Sequence, residues 1–341
     1  MTAPSKTAWP TRRLGRTAVQ VTTLGLGTAT MGGSRVPMTR PDREALVRAA
    51  WQAGVRYVDT APFYGVGAAE RAVGDALRDE PRGDWVLSSK VGRLLRPNPA
   101  GGPSPDGRLA PLPFRVEYDY SHDGILRSVE DSFQRLGLAR IDILYVHDIG
   151  AYQHGDAAAG HMQVLRDSGY RALTRLKAEG TIGAFGIGVN ETAVLLEALS
   201  WGEWDAFLLA GRYTLLEQAP LDDLLPLCLA RGTSIVVGGP LNSGLLAGRD
   251  SWDYAPAPPA VAARAQAIGA VCARHGVALP AAALQFPLAH PAVAAVIPGP
   301  RSAAEFDANL ALIRAPIPAA LWVELKQEGL VHREAPTPAG S

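Results

Sequence analysis

Four side chains suited to acid–base chemistry stand at or just after the ends of three apolar, strand-like runs. Asp59 ends one run, and Tyr64 follows it on the next loop. Lys90 and His147 end the two runs that come next. Neighbouring strands lie about 5 Å apart, so the ends of parallel strands could bring these side chains to one point. A phenol has a pKa of about 10, which an adjacent ammonium would lower while a carboxylate held that ammonium in place. The combination predicts a metal-free proton-transfer centre for alcohol–carbonyl interconversion, in which Tyr64 exchanges the proton and His147 orients the substrate oxygen or shares the proton.

Each of these residues also has an ordinary structural interpretation when it is taken alone. Asp59 could cap a helix, and Tyr64 could be a packed loop aromatic whose hydroxyl is satisfied. Lys90 could point into solvent, and His147 could be a hydrogen-bonded structural histidine. Their joint occurrence at strand ends favours catalysis, because chance seldom places all four types there.

Two further patterns carry little weight. His147, His154 and His161 recur every seven residues, but the intervening glycines argue against one helix face that could hold a metal. Neither the Gly-Leu-Gly at residues 25–27 nor the Gly-Ile-Gly at residues 186–188 is followed by the third glycine of a dinucleotide-binding fingerprint. The sequence therefore predicts neither a metal site nor a Rossmann-type cofactor domain.

The strand-like runs alternate with amphipathic segments along the chain. Alternation of this kind implies right-handed βαβ units and a parallel sheet, and eight repeats favour an α/β fold of the closed (β/α)8 TIM-barrel type. The strands are expected at residues 23–27, 57–59, 85–90, 141–147, 184–188, 206–209, 234–238 and 293–297, and helices at 43–52, 68–78, 123–136, 163–178, 192–199, 221–230 and 261–274.

Segments outside this repeat are expected at both ends of the barrel. A short N-terminal β-hairpin around Gly15-Arg16 could cap the bottom. Long connections at residues 92–121, 148–161 and 239–259 each follow the C-terminal end of a strand, which is the active-site face of such barrels. We expect one domain over residues 1–332 and a disordered tail over 333–341.

Composition limits the classes of function that remain. Of 341 residues, 47% are apolar and 19% are charged, which supplies a core and argues against disorder. The 33 Lys and Arg balance the 33 Asp and Glu, so no charge asymmetry points to nucleic acid or to a membrane surface. Two cysteines cannot form a disulfide framework, and no apolar stretch reaches the roughly 20 residues of a membrane helix. With no secretory signal at the start, we expect a cytoplasmic enzyme with a small-molecule substrate; the sequence predicts no oligomeric state.

At this point the sequence resembles the aldo-keto reductase superfamily almost end to end, from the Arg-Leu-Gly-Arg-Thr at residues 13–17 to the Asn-Leu at 309–310. The resemblance implies a barrel that binds an extended nicotinamide cofactor without a Rossmann domain, and it gives Asp59, Tyr64, Lys90 and His147 as the catalytic tetrad. The resembling segments are Asp-Thr-Ala-Pro-Phe-Tyr-Gly at 59–65, Ser-Lys-Val-Gly at 89–92, Arg-Ser-Val-Glu-Asp-Ser at 127–132, Arg-Leu-Gly at 135–137, Asp-Ile-Leu at 142–144 and Ile-Pro-Gly at 297–299.

In its details, the amino-acid sequence is similar to one branch of the family, the dehydrogenases of L-fucose, L-galactose and D-threo-aldoses, and also to pyridoxal 4-dehydrogenase. A pyranose sugar and the internal hemiacetal of pyridoxal both carry a cyclic hemiacetal hydroxyl, and oxidation of either gives a lactone. We expect hydride transfer from the anomeric carbon of an aldose such as L-fucose, L-galactose or D-arabinose to NAD. Pyridoxal oxidation and a general NADPH-dependent aldehyde or ketone reductase are the alternatives, whereas the intact tetrad argues against a non-enzymatic barrel subunit.

The resemblance also implies cofactor contacts, with three departures from the family pattern. Of the Ser-Asn pair that follows the fifth strand in many relatives, only Asn190 has a match here. No stacking tyrosine follows the seventh strand, and Gly299 and Glu305 stand where NADP-preferring relatives carry Lys and Arg. Glu305 would repel the roughly −2 charge of a 2′-phosphate, which favours NAD; Arg301 could reach that phosphate, so NADP stays possible. The expected cofactor contacts are Thr28, Asn190, Gly238, Pro240, Leu241, Gly244, Ile297, Gly299, Arg301, Ser302, Glu305 and Asn309. The expected substrate contacts are Met31, Phe63, Arg93, Asp148, Arg212 and Tyr213.

Overall fold

The computed structural model describes residues 9–33, 37–101 and 112–339. Its centre is an eight-stranded parallel sheet in which each strand pairs with the next along the chain. The first and last strands are joined as well, because Gly25 donates to the Val296 carbonyl at 2.9 Å and Val296 donates to the Thr23 carbonyl at 2.9 Å. The sheet is thus a closed (β/α)8 barrel, as the alternation predicted. Its strands are Leu26–Gly27, Tyr57–Asp59, Val86–Val91, Ile143–His147, Ala184–Val189, Ala206–Ala210, Ser234–Gly238 and Val293–Ile297.

The barrel interior explains why the tetrad residues end up together. Alternate residues of each strand point inward, and the register pairs Asp59 with Ser88, Lys90 with Tyr145, and His147 with Gly188. A Cβ on Gly188 would lie 3.5 Å from the Tyr145 Cβ and 3.6 Å from the Lys90 Cε, so this position lies directly beside both side chains. The inward-facing positions of the strands therefore carry packing residues within the barrel and reactive groups at the C-terminal ends of the strands.

The predicted hairpin is present and closes the opposite end of the barrel. Strands Thr11–Arg13 and Gln20–Thr22 pair antiparallel. Leu14 and Val21 are fully buried within the cluster of apolar side chains that fills the barrel interior. The hairpin is fixed to the start of the seventh strand, since the Gly15 amide donates to the Ser234 hydroxyl at 2.7 Å.

Helices cover the outside of the barrel, and several of them were not predicted. The helices at residues 279–285, 303–313 and 319–327 lack a clear apolar stripe, so no periodic signal marks them in the sequence. The segment 148–161 was expected as a loop but is largely helical, and its last helix continues to the buried Met162 and Leu165. The α-helices are Arg40–Gln52, Ala68–Leu77, His122–Leu136, Ala151–His154, Ala158–Val164, Tyr170–Ala178, Thr192–Trp201, Leu224–Arg231, Pro259–Arg274, Leu279–Gln285, Ala303–Ile313 and Ala319–Gln327, with a π-turn at Leu165–Gly169 joining two of them.

Two of the three predicted long connections form β-hairpins above the active-site face. Strands Arg93–Pro97 and Phe114–Tyr118 pair antiparallel after the third barrel strand. After the seventh, a 3₁₀ turn at Asn242–Ala247 leads into the pair Ser251–Trp252 and Ala255–Pro256. These hairpins add side chains to the rim of the barrel.

The chain after residue 332 is described as far as residue 339 and packs against the barrel. Ala335 is fully buried in the main hydrophobic core, which corrects the expectation of a disordered tail there. No single helix in the described ranges is long and apolar enough to cross a membrane; Pro259–Arg274 and Leu279–Ala289 meet that test only as a pair bent by 101°.

Candidate active site

The structure brings the four predicted acid–base residues together at the C-terminal face. The Lys90 ammonium donates to the Asp59 carboxylate at 2.7 Å and to the Thr60 carbonyl at 3.1 Å. It also hydrogen-bonds to Tyr64 and lies 4.7 Å from the centre of the Tyr64 ring. The His147 ring meets the Tyr64 ring edge-to-face with centroids 5.7 Å apart. A substrate oxygen placed between Tyr64 and His147 would therefore meet both.

A tight turn places Tyr64 over Lys90. Gly65, Val66 and Gly67 all have positive φ angles, of 65°, 45° and 97°, immediately before the helix that starts at residue 68. A Cβ on Gly65 would come within 2.9 Å of the Gly32 backbone, so only glycine fits there. The turn carries the phenol back across the barrel mouth.

Burial and charge act in opposite directions on the Tyr64 phenol. Burial raises its pKa, the Lys90 charge lowers it, and the Asp59 charge raises it again, so that the pKa lies above its ordinary value. The charge of Lys90 lowers the pKa of Tyr64, as expected, but in the protein without ligands this effect is smaller than that of burial. Tyr64 is therefore a phenol at neutral pH, and an oxidation that needs its phenolate should accelerate towards alkaline pH.

A second hydrogen bond, in addition to that from Lys90, holds the Asp59 carboxylate. The Ser88 hydroxyl donates to its other oxygen at 2.6 Å, and the Tyr57 hydroxyl lies 3.2 Å from that of Ser88. Both carboxylate oxygens thus have partners, as a buried charge requires. The pair with Lys90 is 2–3% exposed, which makes it a structural part of the site.

His147 faces a second carboxylate, on the next residue. Its Nε2 lies 3.4 Å from Asp148 Oδ2, and the Arg93 guanidinium contacts the same oxygen at 2.6 Å. Arg93 is sandwiched between two rings, 4.2 Å from the centre of Phe63 and 5.6 Å from that of Tyr118. Lys90 and Arg93 therefore bring two positive charges near the site, and Asp59 and Asp148 bring two negative charges, so their formal charges cancel.

A histidine–tyrosine cluster supports the backbone of His147. The Tyr120 hydroxyl donates to the His147 carbonyl at 2.9 Å and lies 2.8 Å from His154 Nε2. Burial, followed by the charges of His161 and Arg93, lowers the pKa of His154 to about 4. His154 is thus neutral, and its Nε2 shares a hydrogen bond with the Tyr120 hydroxyl. In the described residues, no group of three or more His, Cys, Asp or Glu could hold a metal ion.

The hairpin after the seventh strand reaches the site, as its place at the active-site face suggested, but the contribution of Tyr254 was not predicted. Asp253 and Tyr254 have φ angles of 49° and 64°, and Arg212 holds Asp253 at 2.9 Å. This backbone directs Tyr254 to the mouth of the site, where its hydroxyl hydrogen-bonds to Asn190. This chain lacks the tyrosine that the family pattern has directly after the seventh strand. The insertion that follows that strand supplies the ring of Tyr254 to the mouth of the site instead.

The expected cofactor contacts lie at the ends of the first, fifth, seventh and eighth strands, and they fit a nicotinamide dinucleotide. The buried Thr28 hydroxyl has no hydrogen-bond partner among the described residues, so a ligand group could satisfy it. Ser302 caps the helix that starts at residue 303 by accepting from the Glu305 amide, and such a helix N-terminus attracts phosphate. Asn190 donates to the Ala210 carbonyl at 3.2 Å, which places its amide beside the Tyr254 hydroxyl.

Glu305, the residue expected to oppose a 2′-phosphate, is itself held by two arginines. Arg249 contacts one carboxylate oxygen at 3.1 Å. The main-chain and side-chain nitrogens of Arg301 contact the other, at 2.9 and 3.3 Å. Arg249 belongs to the insertion after the seventh strand, and nothing in the sequence pattern marked it. The negative charge of Glu305 is therefore partly balanced by the positive charges of Arg249 and Arg301.

Three of the six expected substrate contacts are buried in the protein without ligands. Met31 and Tyr213 are fully buried, and the Tyr213 ring packs against Phe286 at 5.6 Å between centroids. Arg93 is 1% exposed and contacts Asp148. Their contact with substrate stays a prediction, and a strand-end position in the sequence does not reveal which way a loop side chain turns.

The other three expected substrate contacts keep some exposure. Phe63 lies beside His147, Asp148 faces the catalytic residues, and Arg212 is engaged by Asp253 and Glu217. Arg212 thus fixes the hairpin, whereas Phe63 and Asp148 border the space above Tyr64. Their contact with substrate stays a prediction.

Comparison with known proteins identifies the relatives of this chain. The model of the aldo/keto reductase family matches residues 23–327. Pyridoxal 4-dehydrogenase of Microbacterium luteolum is 45% identical over 94% of this chain and 97% of its own length. D-threo-aldose 1-dehydrogenase of a Pseudomonas species is 40% identical over 92% and 95%. Among solved structures, an aldo-keto reductase from Bacillus halodurans superposes with a TM-score of 0.72 at 26% identity, covering 94% of this chain and 96% of that one.

Proposed function

Because this chain belongs to the aldo/keto reductase family, we propose that it oxidises a small cyclic hemiacetal to a lactone with NAD. The observation that carries the proposal is the contact chain from Asp59 through Lys90 to Tyr64, with His147 across the same space. This arrangement supplies an acceptor for the proton of a hydroxyl group. A hemiacetal hydroxyl is therefore a better donor than a free aldehyde, which would first have to be hydrated.

The chain's own residues divide the work of the reaction. A nicotinamide cofactor bound at the expected contacts would supply the hydride acceptor for the substrate carbon. The Tyr64 phenolate accepts the hydroxyl proton as the carbon–oxygen double bond of the lactone forms. The Lys90 ammonium stabilises that phenolate, and Asp59 fixes Lys90. His147 orients the substrate oxygen.

Two substrates of this class have support. The sequence favoured an aldose, and the 40% identity to D-threo-aldose 1-dehydrogenase agrees with that choice. Pyridoxal is the second candidate because pyridoxal 4-dehydrogenase is 45% identical. The rings of Phe63 and Tyr254 at the mouth also suit a flat aromatic substrate. Both substrates undergo the same reaction at the hemiacetal carbon.

A substrate screen tests this function. L-fucose, L-galactose, D-arabinose, further aldoses and pyridoxal are each incubated with NAD, while the reduced cofactor is followed by absorbance and the product by mass spectrometry. We expect reduced cofactor and lactone to form together from at least one of them. The methyl glycoside of an active sugar, which lacks the hemiacetal hydroxyl, serves as the control and should not react. Activity confined to reduction of open-chain aldehydes or ketones with NADPH would refute the proposal.

Glu305 gives a test of cofactor preference. Wild type should bind NAD more tightly than NADP, because the 2′-phosphate adds negative charge beside this carboxylate. Glu305→Gln removes the charge and releases Arg249 and Arg301 for the phosphate. We expect the Kd for NADP to fall roughly tenfold or more, as charge-assisted contacts form, with little change for NAD. Quenching of tryptophan fluorescence measures both constants.

The control for this test is Asp307→Asn on the same helix, where the side chain is exposed. It removes one negative charge without touching either arginine, so both constants should stay near wild type. If wild type itself bound NADP tenfold more tightly than NAD, the arginines and not Glu305 would govern the site.

A further inference from the structure

Asp148 is an accessible carboxylate among the reacting groups. Its side chain is 26% exposed, whereas Asp59 is only 3% exposed beneath Lys90. Asp148 Oδ2 lies 3.4 Å from His147 Nε2, and the charge of Asp148 also acts on Lys90 and Tyr64. A substrate bound between Tyr64 and His147 would thus have this carboxylate beside it.

The backbone fixes the position of Asp148. Its φ angle is 42°, in the left-handed region that residues other than Gly, Asn and Asp rarely adopt. Its amide donates to the Gly188 carbonyl at 2.9 Å, which ties this conformation to the end of the fifth strand. Strained backbone of this kind persists where the surroundings enforce it, and it is frequent at ligand sites.

Arg93 holds this carboxylate from within the protein. It is 1% exposed, its ring contacts to Phe63 and Tyr118 enclose it, and its Nη2 contacts both Asp148 and Gln153. Burial raises the pKa of Asp148 above its ordinary value, although the charges of Arg93 and Lys90 act to lower it. Arg93 therefore favours the ionised carboxylate at a partly buried position.

We propose that Asp148 accepts a hydrogen bond from a second hydroxyl of the substrate, close to the reacting carbon, and that Arg93 positions Asp148 for this contact. An ionised carboxylate only accepts hydrogen bonds, so its partner must be a donor. The 2-hydroxyl of an aldose and the phenolic hydroxyl of pyridoxal both meet that requirement. The inference rests on the proposed function and adds the substrate feature that the site selects.

The test compares substrates with and without this hydroxyl. Wild type and Asp148→Asn are assayed on an aldose and its 2-deoxy analogue, and on pyridoxal and its analogue without the phenolic hydroxyl. Asparagine keeps the shape and tolerates the left-handed backbone. Wild type should favour the hydroxylated member of the active pair by roughly 10- to 100-fold in kcat/KM, the value of a hydrogen bond to a charged group. In Asp148→Asn that ratio should fall to within about threefold, through loss on the hydroxylated substrate alone.

Asp253→Asn is the matched control. Like Asp148, Asp253 has a positive φ angle and an arginine partner, which is Arg212, but His147 contacts Asp148 and not Asp253. Asp253→Asn should leave the ratio unchanged. Arg93→Met should lower the ratio as Asp148→Asn does, and the double variant should lower it no further, because both act on one contact.

The outcomes separate this inference from the function on which it rests. Unchanged discrimination in Asp148→Asn, or equal losses on both members of a pair, would overturn the role of Asp148 while lactone formation still stood. Absence of lactone from every hemiacetal in wild type would refute both. The pair that responds, sugar or pyridoxal, identifies the source of the hydroxyl.

Discussion

Replacing Tyr64 with phenylalanine should lower kcat roughly 10²–10⁴-fold, the usual effect of removing a positioned acid or base. The ring contacts with His147 remain in this variant, and only the hydroxyl that hydrogen-bonds to Lys90 is lost. The affinity for the cofactor should therefore stay close to the wild-type value. Steady-state rates with the best hemiacetal substrate, together with a fluorescence titration of NAD, measure the two quantities separately.

Tyr170→Phe provides the control for this substitution. Its hydroxyl donates to the Glu203 carbonyl at 3.0 Å and accepts from the Glu203 amide at 2.8 Å, at the opposite end of the barrel. The same chemical change there should alter kcat by less than about threefold, since the two hydrogen bonds that are lost lie far from the site. Wild-type turnover in Tyr64→Phe would remove the phenol from the mechanism.

Lys90→Met should impair both the rate and the stability of the protein. Burial lowers the pKa of Lys90, but the charges of Asp59 and Tyr64 and the hydrogen bonds to them outweigh burial and raise it. A raised pKa means that the pair stabilises the fold below the unfolded-state pKa of about 10.4. Its contribution is lost only as the pH rises through the still higher folded-state pKa. Removal of Lys90 at neutral pH leaves Asp59 buried and unpaired, at a cost of roughly 3–5 kcal/mol.

The same variant changes the pH dependence of oxidation. Lys90 lowers the pKa of Tyr64 against the effect of burial. Without that charge the phenolate forms only at higher pH, so the rise of kcat/KM with pH should move in the alkaline direction. Denaturant unfolding and pH–rate profiles measure the two effects.

Lys177→Met is the matched control for the ion pair. Its ammonium lies 2.6 Å from Asp205, but its side chain is 38% exposed and distant from the site. Asp205 is only 10% exposed but also accepts a hydrogen bond from the Phe185 amide, so we expect a smaller stability loss than in Lys90→Met and an unchanged pH–rate profile. An unshifted profile in Lys90→Met would exclude Lys90 from tuning Tyr64, whatever the change in stability.

The sequence by itself determined the barrel and the four reactive residues. Short apolar runs alternating with amphipathic segments permit few other folds. In a closed parallel sheet, the ends of neighbouring strands must meet at one face. Asp59, Lys90 and His147 occupy such ends, so their convergence with Tyr64 follows from local pattern and chain order alone.

Only the tertiary structure decided how the rim of the site is built. Tyr254 and Arg249 reach it from an insertion whose path depends on contacts with distant residues, as in the pairing of Arg212 with Asp253. Met31 and Tyr213 turned out to be buried, because the direction of a loop side chain is set by what packs around it. The balance between burial and the Lys90 charge that raises the pKa of Tyr64 likewise depends on the distances between groups. Strand periodicity encodes which residues share a face, but it carries no information about solvent exclusion or about contacts between segments far apart in the chain.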